Sequence, residues 1–237
     1  MSDVHTRKTT VRFACIRFRI AAFDRSVGKP SGVSQWIRKR HAPIWMALLL
    51  VFSVPAMAGN QKEEAIADSV RVALSRLISD PSPPKPKFSD INERVRYLYW
   101  LGEMSERLKK RLPDPRTRIE FLETVWYESR RAGLDPAMVL GLIQVESAFR
   151  KYAISHAGAH GYMQVMPFWT RVVGDGDTRK LFQMQTNLRY GCSILRMYID
   201  MEAGNLFLAL GRYNGSRGRS TYPNAVLAAW KRWEYSH

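Results

Sequence analysis

Residues 135–149, DPAMVLGLIQVESAF, have the features of a buried helix with a well-defined start. The side chain of Asp135 can accept the backbone N–H groups that lack partners at a helix N-terminus. Pro136 follows it, and proline already has the backbone angle that the first helical position requires. We therefore predict that a helix begins at Asp135-Pro136 and contains Glu146.

Glu146 lies on the apolar face of this predicted helix. Its neighbours at helical spacing are apolar, namely Val139, Leu142, Ile143 and Phe149. Burial is costly for a carboxylate that has no compensating partner, and it favours the neutral form. A general acid needs that neutral form, but a buried glutamate bonded to the backbone or to arginine is also a common structural device. The position of Glu146 leaves both roles open.

The residues that follow contain no second carboxylate. Residues 149–169, FRKYAISHAGAHGYMQVMPFW, include neither Asp nor Glu, and the next carboxylate is Asp175, in the turn-like GDGD of residues 174–177. Most glycosidases use two carboxylates. Any glycosidic chemistry at Glu146 must therefore proceed without a partner acid from the local sequence.

Most of the remaining sequence also has helical periodicity. A first helix is predicted with one apolar stripe, formed by Ile66, Val70, Leu74 and Leu77. The proline-rich segment PSPPKPK, residues 81–87, ends it as an extended linker. A second helix is predicted with its inward face formed by Ile91, Val95, Leu98 and Leu108. No segment alternates with period two over a length that demands a large sheet. The predicted fold is mainly α, with at most a small β element.

The N-terminal 58 residues have the features of an export signal. A basic cluster at residues 38–41 precedes the apolar run 44–54, and Ala56-Met57-Ala58 has the small-x-small pattern of a cleavage site before Gly59. The alternative is an uncleaved amphipathic or membrane-anchoring helix. The full chain has a formal net charge of +16, about half of it in this segment. We predict a protein exported to the periplasm, for which nucleic acid is not an expected partner.

Several motifs downstream of Glu146 resemble one family. They are ESAF (146–149), Ser155, AGAHGYMQVMP (157–167), RYNGS (212–216) and YPNAV (222–226). Together and in this order they resemble the soluble lytic transglycosylase family, whose catalytic domain is lysozyme-like. The resemblance covers about residues 117–237, roughly half of the chain.

The resemblance implies a reaction. Enzymes of this family are lyases that cut the β-1,4 bond between N-acetylmuramic acid and N-acetylglucosamine in peptidoglycan, using a single glutamate as acid and then as base. The muramyl 6-hydroxyl attacks within the same sugar and gives a 1,6-anhydro product, so no nucleophilic water is needed. The family's acid corresponds to Glu146. The alternatives are a hydrolytic lysozyme of the related goose type and a non-catalytic murein-binding module.

The same resemblance implies further site residues. Substrate-binding positions correspond to Ser155, Gln164, Met166, Tyr213 and Asn214. The resemblance also implies that the Tyr213 hydroxyl lies near the acid. Ser147 and Tyr162 are predicted to support the site. The residues themselves allow simpler roles: Ser155 closing a turn before Gly158, and Ser147 capping backbone groups. No cofactor is expected, and the histidines are too scattered for a zinc site.

We therefore predict three segments: an export signal (1–58), a helical extension with a proline-rich linker (59–116) and a lytic transglycosylase-like catalytic domain (117–237). Residues 59–112 either brace the catalytic domain or dock a protein of an envelope or secretion machine. The basic surface of the processed chain suits peptidoglycan carboxylates and peripheral contact with anionic lipid. Residues 216–220, SRGRS, are expected to form a mobile basic loop over the cleft.

Overall fold

The structure, a computed structural model, describes residues 61–79 and 86–235. The predicted signal and most of the proline-rich linker lie outside these ranges. Within them the chain forms eight α-helices and one short 3-10 helix, and β structure is limited to isolated bridges that pair Ile154 with His160 and His160 with Val165. The predicted mainly helical class, with a small β element, is confirmed.

The helices follow one another along the chain, and the longest described connection is residues 148–167, between α4 and α5. Their bounds are α1 Asp68–Ser79, α2 Ile91–Leu108, α3 Pro115–Arg131, α4 Pro136–Ser147, α5 Phe168–Val173, the 3-10 helix Thr178–Phe182, α6 Met184–Met201, α7 Leu206–Tyr213 and α8 Thr221–Trp233. In the described residues, no helix combines the length and the apolar character needed to cross a membrane.

Helix α4 begins where its sequence predicts. The Asp135 side chain accepts a hydrogen bond from the backbone N–H of Ala137 at 2.7 Å, and Pro136 occupies the first helical turn. Two aspartates cap the preceding helices in the same way, Asp90 for α2 and Asp114 for α3. Each cap satisfies a backbone donor that the helix leaves without a partner.

The C-terminus of α4 is strained. Ala148 and Phe149, the two residues after Glu146-Ser147, have φ angles of 50° and 66°, in the left-handed region that favours glycine. The Phe149 ring is 2% exposed and packs edge-on against Phe121 and Trp233. Burial of this ring offsets the backbone strain and makes the chain turn sharply directly after the buried carboxylate.

Helices α4 and α8 pack with their backbones in close contact. A Cβ atom on Gly141 would lie 2.6 Å from the backbone nitrogen of Trp230 and 2.9 Å from its Cα, so glycine is required there. Two indole N–H groups of α8 bond to α4 and its cap: Trp233 Nε1 donates to Gln144 Oε1 at 2.8 Å, and Trp230 Nε1 to Asp135 Oδ2 at 3.1 Å. This contact fixes α4 relative to α8.

The predicted inward face of α2 is wrong for three of its four residues. Ile91, Val95 and Leu98 are exposed by 67%, 42% and 53%, and Leu108 alone is buried. The buried face is formed by Tyr97, Trp100, Met104, Ser105 and Leu108. Helix α2 has apolar residues on two faces, and periodicity does not distinguish them. The aromatic face is buried because its rings pack with each other and with Trp126 of α3.

Helix α1 is buried less than its predicted stripe implies. Leu74 is buried, and Ile66 and Val70 are partly buried against the core. Leu77, the fourth residue of the predicted stripe, is 42% exposed. Ile78, near the end of the helix, also packs partly against the core, so Leu74 is the one fully buried residue of α1.

We expect Gly141→Ala to destabilise the protein although alanine is the better helix former. The added methyl group meets backbone rather than a flexible side chain, and overpacking of this kind costs about 1–3 kcal/mol. Gly102→Ala in α2 is the matched control, because a Cβ there meets nothing within 4 Å. That change should be neutral or stabilising by up to about 1 kcal/mol. Urea unfolding measures both, and equal stability of the two variants would contradict the α4–α8 contact.

Candidate active site

Glu146 lies in the last turn of α4 and is 1% exposed. Its Oε1 accepts a short hydrogen bond, 2.5 Å, from the hydroxyl of Tyr222, the second residue of α8. Burial raises the pKa of Tyr222 well above its usual range, and the nearby Glu146 carboxylate raises it further. The phenol therefore keeps its proton and acts as the donor. The close packing of α4 on α8 is what brings the two side chains together.

Sequence reasoning did not assign a role to Tyr222. The motif YPNAV was recognised as part of the resemblance, but the periodicity of α8 gives no sign that its tyrosine reaches α4. The structure places Tyr213, the tyrosine predicted to lie near the acid, with its hydroxyl donating to the Met163 carbonyl at 2.8 Å. Burial raises the pKa of Tyr213 well above its usual range, and the negative charge of the nearby Glu146 carboxylate raises it further. The charge of Glu146 thus raises the pKa of both buried phenols. Tyr222 is the tyrosine that donates the hydrogen bond to Oε1.

Two other glutamates are buried in the described residues, and both pair with arginine. Glu128 bonds to Arg131 and Arg189 at 3.1 and 2.9 Å, although burial still raises the pKa of its carboxyl. Glu202 bonds to Arg212 and Arg217, each at 2.7 Å. Glu128 and Glu202 are thus structural anchors, which is one of the two roles that the sequence leaves open for Glu146. The phenol on Glu146 Oε1 differs because it bonds the carboxyl without adding a charge.

Ser147 and Tyr162 hold the chain that follows the acid. Ser147 Oγ donates to the Tyr162 carbonyl at 2.7 Å, which ties the end of α4 to the loop of residues 150–167. The Tyr162 ring is 1% exposed and packs on Phe121 at 4.9 Å between ring centroids. The structure thus places Ser147 in contact with backbone and Tyr162 in the core.

Gln164 lies within the same loop in a left-handed backbone conformation, with φ of 49°. Its side chain is 1% exposed, and Nε2 donates to the carbonyls of Gly161 and Ala153 at 2.9 and 3.1 Å. A strained non-glycine residue that is held by its own side chain points to a constrained position beside the site. Met166, two residues on, is partly buried against the core.

Ser155 closes a turn in the structure. Its Oγ accepts from the backbone N–H of Ala159 at 3.0 Å, and its carbonyl accepts from Gly158 at 2.9 Å. This is the simpler of the two roles that its sequence allows. The residue is partly exposed, so the turn also presents it at the surface of the loop.

Asn187 of α6 also organises the loop, and sequence reasoning did not identify it. Its side chain is fully buried, with Oδ1 accepting from Met163 N at 2.8 Å and Nδ2 donating to the carbonyls of His160 and Leu181 at 2.9 and 2.8 Å. A Cβ on Gly161 would lie 2.4 Å from Asn187 Nδ2, so the loop approaches α6 closely at a glycine. Nothing in the local sequence of α6 signals this long-range contact.

Asn214 follows Tyr213 at the end of α7 and is 4% exposed. Its Nδ2 donates to Ser216 Oγ at 3.0 Å, and its Oδ1 is buried with no hydrogen-bond partner among the described residues. The SRGRS segment that follows was expected to be mobile. Instead Arg217 binds Glu202 through two hydrogen bonds, of 2.7 and 2.9 Å, which anchor the segment to the end of α6.

Comparison with known proteins identifies a family for part of the chain. Residues 123–229 match the family model of the transglycosylase SLT domain. The resemblance to the soluble lytic transglycosylase family is therefore confirmed over these residues.

Individual relatives carry the name "membrane-bound lytic murein transglycosylase C". The protein from Actinobacillus pleuropneumoniae serotype 5b (strain L20) is 37% identical over 94 residues, which are 39% of this chain and 24% of that protein. The protein from Glaesserella parasuis serovar 5 (strain SH0165) is 40% identical over 93 residues, with the same coverage. The protein from Haemophilus influenzae (strain PittEE) is 32% identical over 114 residues, covering 42% of this chain and 32% of that protein. The chain thus spans a third or less of the length of these relatives.

The Glu202 contacts predict a defined loss of stability in acid. Hydrogen bonds from Arg217, followed by those from Arg212, lower the pKa of Glu202 from 4.5 to about 2. A carboxyl with a lowered folded-state pKa stabilises the fold above its unfolded pKa, and this stabilisation disappears as pH falls through the folded value. We expect Glu202→Gln to be less stable than wild type at pH 7, and the difference to shrink between about pH 4.5 and pH 2.

The control is Glu106→Gln, which removes an exposed carboxylate paired with Lys109 at 3.3 Å. Exposed pairs of this kind contribute little, so this variant should melt close to wild type throughout. Thermal unfolding across the pH range measures both. A Glu202→Gln deficit that is unchanged at pH 2 would contradict the assignment.

Proposed function

We propose that this protein is a peptidoglycan lytic transglycosylase that cleaves the β-1,4 bond between N-acetylmuramic acid and N-acetylglucosamine without hydrolysis. Glu146 is its single general acid and base. The observation that carries the proposal is the buried Glu146 carboxyl, bonded on Oε1 by Tyr222, inside a stretch that matches the SLT domain. The names of the relatives support the same reaction.

The chemistry follows from one carboxyl group. Protonated Glu146 transfers its proton to the glycosidic oxygen as the bond from C1 of the muramyl residue to that oxygen breaks. The resulting carboxylate then accepts the proton of the muramyl 6-hydroxyl, and O6 forms the new bond to C1. Glu146 ends protonated again, so the cycle consumes no water and needs no second carboxylate.

Tyr222 orients the acid in this scheme. Its hydroxyl donates to Oε1, which restricts rotation of the carboxyl group. A neutral phenol favours the ionised carboxylate less strongly than a full positive charge does, which suits the protonated acid that the first step requires. An arginine in its place would favour the ionised carboxylate and oppose the first step.

We place this activity in the cell envelope, after export by the signal at residues 1–58. The relatives' description as membrane-bound supports an envelope location. The remaining predicted partners, an envelope or secretion-machine protein bound through 59–112 and peripheral lipid, stay part of the proposal. Their support is the exposed apolar face of α2 formed by Ile91, Val95 and Leu98.

Digestion of purified murein by wild type and Glu146→Gln tests the reaction. The wild type should release muropeptides with 1,6-anhydro ends, and Glu146→Gln should release them about 10²- to 10⁴-fold more slowly because the acid is lost. The change is nearly isosteric, so circular dichroism should show an unchanged helical fold.

Product masses separate the alternatives. Products heavier by one water would identify the hydrolytic, goose-type reaction. Anhydro release at the wild-type rate by Glu146→Gln would show that another residue is the acid. An absence of cleavage by wild type, with murein binding retained, would identify a non-catalytic binding module.

The roles of the two buried tyrosines are separated by removing each hydroxyl. Tyr222→Phe should lower kcat about tenfold or more, because the Glu146 carboxyl loses its orienting donor, with a small change in KM. Tyr213→Phe is the matched control, since it removes an equally buried hydroxyl that bonds to the Met163 carbonyl. Tyr213→Phe should lower the free energy of unfolding by about 1 kcal/mol and should lower kcat less than Tyr222→Phe does. A larger kcat loss in Tyr213→Phe than in Tyr222→Phe would reverse the assignment.

A further inference from the structure

A shallow hollow of about 360 Å³, lined by residues 150–154, lies beside the candidate active site. It begins at Arg150, whose Nε donates to the Ser147 carbonyl at 3.0 Å. Ser147 directly follows Glu146 in the chain. It also includes Ala153, whose carbonyl accepts a hydrogen bond from Gln164. The hollow is therefore continuous with the end of α4 and with the loop that Gln164 holds.

The hollow carries two positive charges, from Arg150 and Lys151. The ion pairs formed among the described residues involve neither of these cations. In contrast, Arg212 and Arg217, two of the cations near the end of α7, are both paired with Glu202. Arg150 and Lys151 thus present positive charge that is not neutralised within the described fold, and it attracts an anionic ligand.

An exposed aromatic ridge flanks these charges. The Tyr152 ring is 72% exposed, and its centroid lies 5.9 Å from that of Phe182. Phe182 in turn stacks on His160, with centroids 4.6 Å apart and planes inclined by 24°. The Lys151 ammonium group lies 5.3 Å from the centre of the Tyr152 ring, within cation–π distance. The ridge therefore keeps the ammonium group beside an open ring face.

We propose that residues 150–154 bind carboxylates of the peptide stems carried by the glycan strand, with Lys151 as the principal contact. This inference rests on the proposed function, which brings a murein strand to Glu146. A neutral sugar backbone offers hydrogen-bond acceptors but no negative charge, whereas a stem attached to the muramyl residue carries carboxylates near the cleavage site. The exposed face of Tyr152 packs against the apolar part of the same stem.

Binding of soluble glycan strands to the full chain carrying Glu146→Gln tests this inference, because the strands are not cut. Two strand preparations are compared, one with native stems and one whose stem carboxylates have been converted to amides. We expect Lys151→Met in this background to weaken binding of native strands about fivefold, the effect of one exposed ion pair. Binding of amidated strands should not change. Lys231→Met, which removes an exposed cation of α8, should change neither.

Three results would overturn the inference. The first is equal binding of native strands with and without Lys151→Met. The second is an equal loss of affinity for amidated strands in Lys151→Met, and the third is the same loss of affinity for native strands in Lys231→Met. The last would indicate general attraction by net charge. Lys151 is used because Arg150 bonds to Ser147 next to the acid, where a substitution would disturb Glu146 itself. The readout is binding and does not depend on cleavage. An absence of anhydro products from wild type would reject the proposed reaction, but the difference between native and amidated strands in their response to Lys151→Met would still be measurable.

Discussion

The close approach of α4 and α8 is the constraint on which the candidate site depends. At Gly141 the two backbones come so near that a single methyl group would collide with Trp230. The candidate acid, Glu146, lies at the end of one helix, and a hydrogen-bond donor to it, Tyr222, lies at the start of the other. The separation and angle of the two helices therefore set the geometry of one short hydrogen bond. In the proposed mechanism, packing of this pair is thus a functional requirement as well as a source of stability.

The buried carboxylates show how one fold gives the same residue type different tasks. Glu128 and Glu202 each bond to two arginines, which hold α3, α6 and the segment after α7 together. Glu146 is as deeply buried, yet its Oε1 bonds to a neutral phenol. Arginine favours the ionised carboxylate, while burial beside a neutral donor is compatible with a retained proton. The degree of burial by itself therefore does not distinguish an anchor from a candidate acid.

The loop of residues 150–167 connects the end of α4, with Glu146, to an exposed surface. Side-chain hydrogen bonds from Ser147, Gln164 and Asn187 restrain its backbone, although the loop contains little regular structure. Its outer edge carries Lys151 and Tyr152. A restrained loop can position charge and aromatic surface for a ligand at a small entropic cost, because these groups need little ordering on binding.

The sequence by itself determined the helical class, the start of α4 at Asp135-Pro136 and the placement of Glu146 on an apolar face. These features depend on residues close together in the chain, through capping and helical periodicity. The motifs also identified the family that residues 123–229 match. Only the tertiary structure decided that Tyr222 bonds to Glu146, that Asn187 clamps the loop and that Arg217 anchors SRGRS to Glu202. It also decided which apolar face of α2 is buried. Each of these outcomes depends on contacts between distant parts of the chain, and local periodicity carries no information about which helices will meet.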